Sequence, residues 1–261
     1  MSRMLSLAAG CVLDLSPADT VSAAADAGFE AAGIWFDAGS WSAATTREVA
    51  GRLLSTGLTA LDVEPVFVSE RGDAGDMLID VAGELGARNV LLVSRHPDRS
   101  ATIDRYGELC DRAAPAGIKV VLEFLPIMSV DTLAAAVEVV TAAARPNSGI
   151  LVDTLHLSRA GSSPADLEAL DRALFPYLQL ADAPDQPPGT SSTELRDEAL
   201  WGRLLPGEGA LPLREVLQAV PQVPLSVELR SRALNDAYPD PFERARAVLA
   251  SSRPYAEVGL S

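Results

Sequence analysis

Short apolar runs alternate with longer amphipathic stretches along almost the whole chain. The runs MLSLAAG (4–10), AAGIWF (31–36), LTALDVE (58–64), NVLLVS (89–94), KVVLEF (119–124), GILVDT (149–154), YLQLAD (177–182) and PLSVEL (224–229) have the length and composition of buried strands. Between them lie helical patterns at 17–28, 45–57, 74–86, 102–117, 129–144, 163–174 and 212–220, and a last one at 240–253. Ser16-Pro17, Ser163-Pro164 and Asp240-Pro241 pair a capping side chain with proline at the first helical position. Gly28, Gly57, Gly86 and Gly117 each stand between a helical stretch and a strand, as helix-ending glycines do.

The strands recur roughly every 28 to 30 residues, the size of one β-α-β unit. Eight such units in 261 residues predict one (β/α)8 TIM barrel of class α/β, a single domain over 1–261. The regularity breaks once, in a Pro- and Gly-rich stretch at about 183–212 after the seventh strand. A long strand-to-helix loop is more often a functional lid than packing. A doubly wound open sheet is the competing fold, but the first turn, AAGCVLDLSP, has no glycine-rich phosphate fingerprint.

Four consecutive strands end on metal-ligand types of side chain: Glu123, Asp153 followed by His156, Gln179, and Glu228. In a barrel of this kind the strand C-termini form the active face, so the four converge. An oxygen-rich set suits a hard or borderline divalent cation, Mg²⁺ or Mn²⁺ first, with Co²⁺ and Zn²⁺ open. A carboxylate inside an apolar strand is costly unless paired or metal-bound; the bland alternative is an ion-pair network across the barrel mouth. His96, the other of two histidines, also follows a strand. Glu64 ends strand three and Trp35 ends strand two, where its ring would wall a small sugar-like ligand. Arg159 and Arg230 lie near the mouth, to bind a substrate oxygen or to neutralise the carboxylates.

Net charge is −15, with 48% hydrophobic and 22% charged residues. That acidity disfavours nucleic acid and anionic membrane surfaces. Cys11 and Cys110 read as buried thiols, not a disulfide framework. The start, MSRMLSLAAGC, resembles a lipoprotein cleavage box, but its basic and apolar regions are too slight for a signal peptide. A soluble cytoplasmic protein is expected, with no membrane span. Trp201, Leu204 and Leu205 in the long loop would serve a homo-oligomer face or close a lid.

The ordered set Glu, Asp-x-x-His, Gln-x-x-Asp, Arg-x-x-Pro-Gly-x-Gly, Glu, in VVLEFLP, LVDTLHLSRAG, YLQLADAP, RLLPGEG and SVEL, resembles the xylose isomerase-like TIM-barrel superfamily. That group includes ketose 3-epimerases, hydroxypyruvate isomerase and inosose dehydratase. The resemblance implies one divalent metal ion on Glu123, Asp153, Gln179 and Glu228. It implies His156 on a substrate hydroxyl or carbonyl and Arg203 as a substrate-binding residue. It further implies proton transfer next to a carbonyl through a metal-stabilised enediolate, with Glu123 and Glu228 on opposite sides of the carbon. The expected function is an isomerase or epimerase of a small carbohydrate or hydroxy-keto compound. Alternatives are a lyase of the inosose or dehydroshikimate dehydratase or C-glycoside-cleaving type, and a non-catalytic binding barrel. An endonuclease conflicts with the acidity and the scarcity of histidine.

Overall fold

The computed structural model describes residues 2–259. Eight parallel strands, β1 (Leu5–Leu7), β2 (Ala31–Trp35), β3 (Thr59–Val68), β4 (Asn89–Ser94), β5 (Lys119–Glu123), β6 (Ser148–Asp153), β7 (Leu178–Leu180) and β8 (Leu225–Val227), close in sequence order into a barrel. Leu5, Ser6 and Leu7 pair with Leu225, Ser226 and Val227 to seal it. The predicted (β/α)8 barrel is the fold.

Helix boundaries follow the chemistry of their ends. Ser16 accepts the Asp19 amide and Asp240 accepts the amides of Phe242 and Glu243, each with proline at the start of its helix. Gly28 ends the first helix with φ of 94°, a left-handed conformation that costs a residue with a Cβ.

Strand alternation sorts the side chains into two cores. In β5, Val120 and Leu122 pack outward against the helices, while Val121 joins Leu91, Leu151 and Tyr177 inside the barrel. Inward positions therefore step by two, and the step carries straight to the mouth: Val121 to Glu123, Leu151 to Asp153, Tyr177 to Gln179. In β8 the outward pair is Leu225 and Val227, leaving Ser226 and then Glu228 inside.

Several elements differ from expectation. β3 runs on past Glu64, through a cis Glu64–Pro65 bond, to Val68. The pattern at 163–174 yields a helix only over Pro164–Glu168, because the Asp171 carboxylate captures the Ala173 amide and starts a separate 3-10 turn. The stretch 183–212 contains a helix, Ser192–Trp201, opened by a reciprocal cap between Ser191 and Glu194. Cys11 and Cys110 are buried thiols, as expected, and burial pushes both pKa values up to about 12. Among the described residues no helix is long and apolar enough to cross a membrane.

Candidate active site

A cavity of about 280 Å³ opens at the C-terminal end of the barrel, with Glu64, Glu123, His156, Gln179, Arg203 and Glu228 in its wall. One oxygen each of Glu123 and Asp153 and one ring nitrogen of His156 lie within 4.8 Å of one another, all three side chains buried. Asp153 ends β6 and caps the helix Thr154–Arg159: its Oδ1 accepts the amides of Leu155 (2.8 Å) and His156 (3.1 Å). Its Oδ2 accepts Arg203 Nη1 at 2.5 Å. The cap fixes the carboxylate and also turns His156, three residues on, back over the mouth.

Arg203 is the cation at the centre of this group. Its Nη1 also lies 3.4 Å from Glu228 Oε2, and its Nη2 lies 3.4 Å from His156 Nε2. His156 Nε2 is 4.0 Å from Glu123 Oε1. Burial pushes the Asp153 pKa up, but the Arg203 guanidinium and the donors around it hold it below the ordinary carboxylate value. Burial opposes the charge on Arg203, yet Asp153 and Glu228 outweigh that and raise its pKa. Burial drives His156 down to about 4, so its ring is neutral near pH 7.

The other acids behave oppositely. Burial, then the charges of Glu228 and Asp153, push the Glu123 pKa well up. Burial raises Glu228 against the pull of Arg203, and raises Glu64 well above its ordinary value with Asp62 and Glu228 adding to it. Gln179 Nε2 donates to Glu64 Oε2 at 3.5 Å. Glu123 Oε1, Glu64 Oε1 and Gln179 Oε1 are buried and have no hydrogen-bond partner among the described residues. Unpartnered oxygens beside a carboxylate and an imidazole are the donor set a divalent cation satisfies, and its charge would reverse the upward shifts. The site therefore fits the group that the sequence implies.

Beneath this layer the interior stays polar. Asp62 on β3 is fully buried, both its oxygens lack partners, and so do the hydroxyls of Ser6, Tyr177 and Ser226. Burial takes Asp62 to about 7; the nearby Tyr177 hydroxyl, outside hydrogen-bonding geometry, offsets part of the rise and Glu228 adds to it.

Arg203 reaches the site because the loop that carries it is clamped. Asp182, two residues past β7 and buried, accepts the amides of Ala183, Gly207, Gly209 and Leu211 at 2.9 to 3.1 Å. A Cβ on Gly209 would come 2.3 Å from Asp182 Oδ1, so only glycine lets the chain pass. Leu204 pairs with Asp182 in an antiparallel bridge, and Arg203 Nε donates to Ala199 O at 3.0 Å. The Gln-x-x-Asp and Pro-Gly-x-Gly motifs are thus two halves of one clamp. On the opposite edge a Cβ on Gly10 would come 2.8 Å from Glu228 Oε1; the glycine makes room for that carboxylate.

Two expected site residues fall elsewhere. His96 does not line the cavity: its Nδ1 accepts the Asp98 amide at 3.1 Å in the turn before the next helix. In β4 the inward positions are Leu91 and Val93, so the inward step lands on Arg95 and misses His96. Arg159 is also outside. Its Nε and Nη2 donate to the two Glu198 oxygens at 2.8 and 2.7 Å and Nη2 also donates to Pro184 O at 2.7 Å, bracing the long loop. Trp35 lines the cavity, with the Arg230 guanidinium 5.8 Å from its ring centre. Arg95, Arg196 and Phe67 line it too and were not singled out from sequence. The inward step along β4 points to Arg95; nothing in the local pattern marks Arg196.

The chain matches the model of the family described as the xylose isomerase-like TIM barrel over residues 21–252. It is 38% identical to an inosose isomerase of Halalkalibacterium halodurans over 112 residues, 42% of this chain and 37% of that protein. It is 34% identical to the inosose isomerase of Bacillus subtilis over 130 residues, 49% of this chain and 44% of that one. The matched stretch is thus less than half the length of either relative. Among solved structures, the IOLI protein with a bound zinc atom superposes with a TM-score of 0.81 at 19% identity, covering 98% of both chains. A xylose isomerase domain protein from Alicyclobacillus acidocaldarius gives 0.78 at 23% identity over 98% of this chain and 99% of that one. D-psicose 3-epimerase gives 0.73 at 15% identity over 99% and 100%. At such identities these structures show a shared fold. The family match, spanning nearly the whole barrel, shows more: the chain belongs to the xylose isomerase-like TIM-barrel family.

Proposed function

We propose that this protein is a divalent-metal-dependent isomerase or epimerase that moves a proton next to the carbonyl of a small carbohydrate or hydroxy-keto compound. The observation that carries the reading is the buried Glu123, Asp153 and His156 group with Glu228 and Gln179 on the same cavity wall. The inosose isomerase relatives and the epimerase among the structural neighbours support it. Glu123, Asp153, Gln179 and Glu228 would hold the ion, Mn²⁺ or Mg²⁺ first. When bound, the ion supplies positive charge against the oxyanion that develops as the proton leaves.

The protein's own groups do the rest. Of Glu123 and Glu228, one accepts the proton from the substrate carbon and the other returns one, on the opposite face for an epimerisation. Arg203, held by Asp153 and Ala199 O, donates to a substrate oxygen. Neutral His156 hydrogen-bonds a substrate hydroxyl or carbonyl, and Trp35 walls the ring side of the cavity. The test is proton exchange: with Mn²⁺ and a panel of keto-sugars, inososes, hydroxy-keto acids and keto-sugar phosphates in D₂O, one carbon-bound deuterium enters per turnover. Glu123→Gln and Glu228→Gln should each lower that rate by roughly a hundredfold or more. No exchange with any member of the panel overturns the reading.

One observation favours a second reading, a lyase on the same scaffold. Glu64 lies in the cavity wall with Oε1 unpartnered, and burial pushes its pKa well up, which suits a group that hands a proton to a departing β-hydroxyl. A conjugated enone absorbing in the ultraviolet would identify this outcome, an isomeric sugar the first.

A further inference from the structure

Some arginines of this acid-rich chain pair with carboxylates. On the outer surface Arg112 holds Asp80 at 2.6 Å, Arg145 holds Asp111 at 2.6 Å and Arg246 holds Asp26 at 2.5 Å. Others, such as Arg47, Arg71 and Arg172, have no such partner among the described residues; what sets the cavity apart is that it gathers several guanidinium groups in one place. Four arginines line it. Arg203 is engaged by Asp153 and Glu228, but the guanidinium groups of Arg95, Arg196 and Arg230 make no hydrogen bond or ion pair among the described residues.

They come from three separate parts of the fold. Arg95 follows β4 and stacks on Phe67, 4.2 Å from the ring centre. Arg230 lies just beyond β8 against Trp35. Arg196 stands on the helix Ser192–Trp201 of the long loop. Stacking on an aromatic ring holds a guanidinium in place while leaving its five donors free in the plane. Arg230 is only partly exposed, and a half-buried guanidinium without a partner gains from an anion brought to it.

Resting on the assignment of this cavity as the substrate site, we propose that its substrate carries an anionic group, a carboxylate or a phosphate. Arg95, Arg196 and Arg230 receive that group at the mouth, while the carbonyl and hydroxyl end reaches Glu123, His156 and Glu228 below. The substrate class narrows from neutral sugars to hydroxy-keto acids or sugar phosphates. The same arginines focus a local positive field in a chain of net charge −15, which would otherwise repel such a substrate.

The test uses three six-carbon chains that differ in one terminal group: D-glucitol, D-gluconate and D-glucitol 6-phosphate. Each is titrated calorimetrically into the Mn²⁺-supplemented protein and into an Arg196→Ala/Arg230→Ala variant. At least one anion should bind roughly tenfold or more tighter than D-glucitol, and which one it is separates carboxylate from phosphate. The variant should lose that advantage while binding D-glucitol as before. Equal affinity for all three overturns the proposal. So does an anion advantage that survives in the variant, since the anion is then held elsewhere. Either result leaves the isomerase reading standing, because that stands or falls on deuterium exchange. The Arg196 and Arg230 guanidinium groups make no hydrogen bond or ion pair among the described residues, so the variant should melt within a few degrees of the parent.

Discussion

Asp182 shows how much one side chain can organise. Its carboxylate, inaccessible to solvent, satisfies four backbone amides, three of them in the segment that follows Arg203. Asp182→Ala should cost about 3 kcal/mol or more, since buried donors lose a charged acceptor. Thermal unfolding should show that loss, and activity should fall as Arg203 loses its register. Asp62 gives a pH signature. Its pKa is about 7 in the fold against 3.8 when free, so the folded state holds a proton that the unfolded chain releases. Its contribution is fully present below about pH 4 and is lost as pH rises through 7. Asp62→Asn should therefore gain on the parent between pH 5 and 8, by an amount on the order of 3 kcal/mol at the upper end; melting curves across that range check it. Inward residues were legible one strand at a time, since Glu123, Asp153, Gln179 and Glu228 all lie at or next to the ends of strands whose parity aims them at the axis. His96 misled because nearness to a strand end was weighed without parity, which selects Arg95. Arg159 misled because its partner, Glu198, lies in a loop whose path only the fold reveals.

Elements with strong end signals were readable and those built by distant contacts were not. Ser16-Pro17 and Asp240-Pro241 mark real helix starts, and all eight strands lie where the apolar runs place them. The helix Ser192–Trp201 was hidden by its Pro- and Gly-rich surroundings, although Ser191 and Glu194 carry the capping signature. That helix presents Arg196 and the Ala199 carbonyl that holds Arg203. Ser191→Ala should weaken it by about 1 kcal/mol. Hydrogen exchange should quicken in residues 192–201 ahead of the barrel, and KM should rise with little change in Tm. Unchanged local exchange would show that Arg159 and the Asp182 clamp alone hold the loop.

For the molecule as a whole, barrel closure does the chemical work of assembly. Pairing β8 with β1 brings Glu228 round to the acids of β5 and β6, Glu123 and Asp153, which are 105 and 75 residues away in sequence, a closeness that no local pattern encodes. The fold class was legible because a repeat declares itself eight times; of the rim arginines Arg230 was legible near the mouth, while Arg95 and Arg196 were not singled out, because each comes from a different unit. The raised carboxyls of Glu123 and Glu228 link the metal to pH: a cation must displace their protons, so its affinity should rise with pH beyond the ordinary carboxylate range, with proton release on binding. The central claim is that this mouth holds a divalent ion. Elemental analysis of the Mn²⁺-dialysed protein, beside an Asp153→Asn variant, tests it most directly. The account predicts about one ion per chain in the parent and at least a tenfold loss of affinity in the variant. A parent chain that takes up no ion at pH 8 would contradict it and leave the acids as an ion-pair network around Arg203.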